Sequence, residues 1–121
     1  MTVLTIRDAQ MAALRAAMLQ QFAQENARRV RPRFPEAAGA KSENAVAEWV
    51  LRITQRARAH GVTRRRDIEL FIDFEFVYGP EFERHHSAAG RILARTEIGG
   101  TRKMALIEDW ELFARPERSR W

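Results

Sequence analysis

Large apolar residues recur along the first part of this chain at three- and four-residue steps. Met11, Leu14, Met18 and Phe22 make one stripe, with Leu19 widening it, and that spacing belongs to one face of an α-helix. The residues between them are mostly Ala, Gln and Arg, with no Gly or Pro, and Thr5-Ile6-Arg7-Asp8 reads as a variant capping box. The pattern predicts a helix over about 6–30 with its stripe in the core. Pro32 and Pro35 then push the residues before them out of helical geometry, so 31–41 reads as a loop anchored by Phe34. Ser42 caps a second helix over about 43–60, with the stripe Val46, Trp49, Val50, Ile53 and Ala57. His60 suits the last turn of that helix as a cation, and Gly61 suits the left-handed residue that follows.

The densest apolar run, Asp67–Gly79, supports two periods. Ile68, Leu70, Ile72, Phe74, Phe76 and Tyr78 alternate with Asp67, Glu69, Phe71, Asp73, Glu75 and Val77, as in a strand. The flanking punctuation is helical: Thr63 stands as an N-cap and Gly79-Pro80 as a stop, and no other segment offers a partner strand. The segment therefore reads as a helix over about 64–78, apolar nearly all round and central to the fold. A polar stretch, 81–87, leads to a short helix over about 88–96 around Ile92 and Leu93, weakened by Gly90. Thr101 caps a last helix of about 102–114 with Met104, Ile107, Trp110 and Leu112-Phe113 on its stripe. Pro116 ends it, and 115–121 reads as a frayed tail. The fold class is all-α, a single compact bundle of four to five helices spanning 1–121.

Composition narrows this further. With 121 residues, 45% hydrophobic and 31% charged, the chain suits one globular domain. The absence of Cys removes disulfides and thiolate metal sites and points to the cytoplasm. The start, MTVLTIRDAQMAAL, lacks a basic segment followed by a long apolar core, so no leader is expected, and no run is long enough to span a membrane. The net charge of +5 hides an acidic centre, since residues 67–83 carry six acids and no base.

The candidate chemistry is thin. Glu69 and Asp73, four apart, share a helix face and resemble half of a carboxylate metal or acid–base site, yet no His completes it. An ion-pair ladder with Arg65 and neighbouring arginines accounts for them. His85-His86 beside Glu81 and Glu83 lacks metal-ligand spacing. Ser42, Ser87 and Ser119 sit in no nucleophile elbow, and Gly99-Gly100-Thr101-Arg102-Lys103 only echoes a phosphate loop. No enzyme, cofactor or metal is expected. Nucleic-acid binding is the alternative, through Arg28, Arg29, Arg31 and Arg33, Arg64–Arg66, or Arg52, Arg56 and Arg58, favoured by a pI near 10.9.

IRDAQMAAL, RFPEAAG and HGVTRRRDIELFIDFEFVYGPEF together resemble small helical proteins encoded in bacterial type VI secretion and polymorphic-toxin loci. The similarity covers roughly residues 5–83 and is most specific in the helix-turn-helix block ending in G-P-E-F. ERHHSAAG departs from the family, which continues there with Asp, Pro and Trp. The resemblance transfers no catalytic residue. It implies a non-enzymatic protein-binding role as effector chaperone, adaptor or immunity protein, with a secreted effector or secretion component as partner. The candidate contacts are Glu69, Asp73, Glu75, Glu81 and Glu83, or Arg28, Arg29, Arg31 and Arg33.

Overall fold

The computed structural model describes the backbone of residues 3–121 and the side chains of residues 5–121. Every regular element among them is helical. In order they are α1 (Val3–Arg33), a π-helical turn (Pro35–Gly39), α2 (Glu43–Ala59), α3 (Arg65–Tyr78), α4 (Phe82–His85), α5 (Ser87–Ala94) and α6 (Gly100–Ala114). The all-α class is as the sequence implies. The helix count exceeds four to five, because the linker after α1 and the polar stretch after Pro80 also coil. No described helix is long and apolar enough to cross a membrane. Met1 and Thr2, part of the stretch read for a leader, lie outside the described residues.

The helical period governs Asp67–Gly79. Ile68, Phe71, Ile72, Phe74, Glu75, Phe76 and Tyr78 of α3 are all buried, so the segment is wetted only along Glu69, Leu70, Asp73 and Val77. An α-helix buried on most of its circumference needs neighbours all round. The C-terminal half of α1, α2, α4, α6 and the chain end supply them, and the buried apolar side chains form one cluster. Phe71 and Phe74 meet Phe82 at 5.1 and 5.9 Å, while Phe34 stacks on Phe76 at 5.6 Å. Phe34 thus does anchor the segment between α1 and α2.

That segment is not a loop. α1 continues through Pro32, the Phe34 amide bonds to the Val30 carbonyl at 2.8 Å, and the Ala38 amide to the Phe34 carbonyl at 2.9 Å. Pro32 lies in the last turn of α1, and the amide it lacks leaves the Arg28 carbonyl without its helical donor.

The stripe of α1 also departs from expectation. Residues 5–18 are all exposed, with Met11, Leu14 and Met18 at 42%, 52% and 61%. Leu19 and Phe22 are half-buried, and full burial starts at Ala23 and continues with Ala27 and Val30. The cause is length. α2 runs antiparallel to α1, with Glu43 beside Arg28, and at 17 residues against 31 it ends near Met18. About four turns of α1 overshoot the body.

Three caps differ from the sequence reading. α1 already runs from Val3, so Thr5 lies inside it rather than at its cap. The N-cap of α3 is Arg64 rather than Thr63, and that of α6 is Gly99 rather than Thr101. The Thr101 hydroxyl donates instead to Asp67 at 2.6 Å, tying α6 to the first turn of α3. Ser42 does cap α2, accepting from the Ala45 amide at 3.1 Å. Gly61 takes the left-handed φ of 81° that ends α2, and Gly100 packs against it so closely that a Cβ there would lie 2.2 Å from the Gly61 carbonyl oxygen.

The chain end is docked rather than frayed. Residues 115–121 form no helix, but the Ser119 amide bonds to the Val77 carbonyl at 3.0 Å. The Trp121 indole N–H bonds to the Phe76 carbonyl at 2.7 Å. Both acceptors lie in the last turn of α3, where no further helical donor follows.

Candidate functional site

The acids of α3 meet the protein's own arginines. Glu69 and Asp73 share a face, as their spacing requires, and Arg29 of α1 lies between them. Its guanidinium donates to Asp73 at 2.7 Å and to the Glu69 carbonyl oxygen at 3.3 Å. Arg33 reaches the second Asp73 oxygen at 3.6 Å, and Arg65 bridges Glu69 and Glu25. Arg28 sits 3.5 Å from Glu43. Arg31 is half-buried, with its Nε enclosed and unbonded. The ladder reading of Glu69 and Asp73 thus describes their geometry, and three of the four helix-one arginines are engaged within the fold.

Glu75 is only 1% exposed and anchors a second network. Its carboxylate accepts from Arg56 at 2.7 Å, from the Trp49 indole at 3.0 Å and from the Glu81 amide at 2.8 Å. The Arg56 guanidinium also binds Glu83 at 2.9 Å, so one cation serves two carboxylates. Glu81 holds a left-handed backbone, φ 55°, and its side chain pairs outward with Arg84 at 3.0 Å. His60 stands 4.0 Å from Glu83, but burial, which outweighs that attraction, lowers its pKa together with the positive charges of Lys103 and Arg56. His60 is therefore held toward the neutral form, not the dipole-capping cation the sequence implies.

The cation at that helix end is Lys103, only 5% exposed. Its ammonium donates to the His60 carbonyl at 2.7 Å and the Leu93 carbonyl at 2.8 Å, and so closes the C-terminal ends of α2 and α5 together. Among the described residues, no group of three or more His, Asp or Glu side chains is placed to hold a metal ion.

Beside the Glu75 network the surface falls into a shallow groove. Two adjoining depressions of about 560 and 620 Å³ share Trp49, Arg52 and Pro80, and Trp121 closes one side. Trp49 packs edge-on against Trp121 at 5.5 Å and tilts over Phe76 at 4.4 Å, so the floor is held from beneath. Lys41 lies over the Trp49 ring at 6.0 Å. Arg52 is exposed and forms no ion pair within the described residues. The groove draws on α2, the turn after α3 and the chain end, segments far apart in sequence. Arg52 carries a weak sequence signal as an arginine off the core stripe of α2, whereas Pro80 and Trp121 look like a helix stop and a tail.

The second apolar surface is the overshooting part of α1, with Met11, Leu14 and Met18 in water. At its root Met18, Leu19 and Phe22 border a depression of about 300 Å³ with Thr54, Arg58 and Ile68. Comparison with known proteins gives no further guide, as no protein family, curated protein or solved structure matches this chain.

Proposed function

We propose that this chain is a non-enzymatic protein-binding module of a bacterial secretion or toxin locus, serving as effector chaperone, adaptor or immunity protein. The partner segment seats in the Trp49–Trp121 groove. The observation that carries this reading is the groove's make-up: two tryptophans, a proline and Arg52, which has no ion pair among the described residues, around one firmly backed floor, with Glu36 and Glu48 also in the lining. Trp and Arg dominate the binding energy of protein interfaces, where a desolvated aromatic anchor sits beside a charge that finds its counterpart across the contact. A segment that fits carries an apolar side chain for the tryptophan–proline floor and a carboxylate for Arg52. The acids of α3 and the arginines at the end of α1 support this placement indirectly, since most are already engaged within the fold: Asp73 by Arg29 and Arg33, Glu75 by Arg56 of α2, and Arg28 by Glu43 of α2. The locus itself rests on the sequence resemblance.

Co-expression with the products of neighbouring genes tests the reading. A stable complex is expected with one of them, and Arg52→Glu should weaken it at least tenfold while leaving the helical spectrum unchanged. Failure to recover a complex with any neighbour, or a complex indifferent to both Arg52→Glu and Trp121→Ala, would overturn it.

A further inference from the structure

We propose that the overshooting part of α1 pairs antiparallel with the same part of a second copy of this chain. Met11 and Met18 are seven residues apart with Leu14 between them, the 3-4 spacing of a helix–helix seam, and all three are exposed. Arg7 extends the seam one step before Met11. Its stem can lie along an apolar neighbour while the guanidinium stays in water.

The charges choose the partner and the direction. Asp8 and Arg15 are also seven apart, so they line one edge of the seam with opposite signs, and neither has an ion pair within the described residues. In an antiparallel two-fold pair each edge faces the same edge of the other copy. Centring the two-fold axis between Ala12 and Ala13 sets Met11 against Leu14 of the second copy and Met18 against its Arg7. The same register sets Asp8 against Arg15 of the second copy, and symmetry repeats every contact. A parallel pair would instead set this edge against Gln10, Ala17 and Gln24, leaving both charges unanswered. α2 ends beside Met18, so in this register the two globular parts lie at opposite ends of the seam. Groove and seam share no residue, so this inference stands apart from the proposed function.

A seam of about three turns is short, so the pair should separate on dilution. Sedimentation velocity of the full chain from roughly 1 to 300 µM, a span that brackets weak affinities, should show a monomer–dimer equilibrium. Leu14→Glu, at an exposed position, should abolish the dimer with helicity retained. Asp8→Arg and Arg15→Asp each make both cross-pairs repulsive and should weaken association about tenfold, whereas the double reversal should restore it. A monomer at every concentration overturns the pairing, and so does a dimer that survives Leu14→Glu. A dimer sensitive to Leu14→Glu but indifferent to both single reversals overturns the antiparallel register.

Discussion

Arg56 shows how a single side chain can hold a charged interior together. It brings one guanidinium to two carboxylates, Glu75 and Glu83, whose side chains are 1% and 8% exposed. Such a network contributes little net stability over an apolar equivalent, but removing its only strong cation leaves two enclosed anions facing each other. Arg56→Met should therefore cost about 3 kcal/mol, read as a lowered urea midpoint with unchanged m-value. Tyr78, the only tyrosine in the chain, offers a second measurement. Burial, with a 2.5 Å bond to Glu111, pushes its phenol well above the ordinary range. A phenolate absorbance band should then appear only above the usual tyrosine pKa of about 10. The folded form binds this proton more tightly than the unfolded one. Tyr78 hence adds stability that is fully present below that pH and lost as the pH climbs through the higher folded value. Tyr78→Phe should blunt this alkaline loss.

Among elements, the joint closure of α2 and α5 by Lys103 is the most exposed to test. Lys103→Met keeps the stem's bulk but strips two terminal carbonyls of their donor. It should cost about 2–3 kcal/mol and raise hydrogen exchange first in the last turns of those two helices. Element identity was mostly legible in the sequence. α2 and α3 lie within a residue or so of where caps and stops placed them, because Ser42, Gly61 and Gly79 act locally. The strand-like alternation in α3 arose because a helix buried on nearly every side has no polar stripe to reveal its period. The prolines are a poor guide at the end of α1, because the helix runs on through Pro32 and a π-helical turn follows it. The stripe of α1 is a true helical stripe, but only its last member, Phe22, packs on the core. Periodicity says which residues share a face but not whether another helix reaches them. The candidate site was less legible still. Glu75 and Glu83 looked like surface charges until Arg56, distant in sequence, was folded onto them.

For the whole molecule, what sequence order conceals most is the return of the chain end to α3. Trp121 bonds to Phe76 and packs on Trp49, joining the last residue to the middle of the fold. Trp121→Ala should cost about 1–2 kcal/mol from the lost bond and ring contact, seen as a lowered thermal midpoint, and should open one wall of the groove. The same indole gives the protein an optical handle. Trp121 is 38% exposed at the groove and Trp49 lies beneath it, whereas Trp110 packs elsewhere, against Tyr78 and His86. An occupant that dries the groove shifts the emission of the first two and leaves the third as an internal reference. Binding at this surface is thus readable by intrinsic fluorescence, with no label attached.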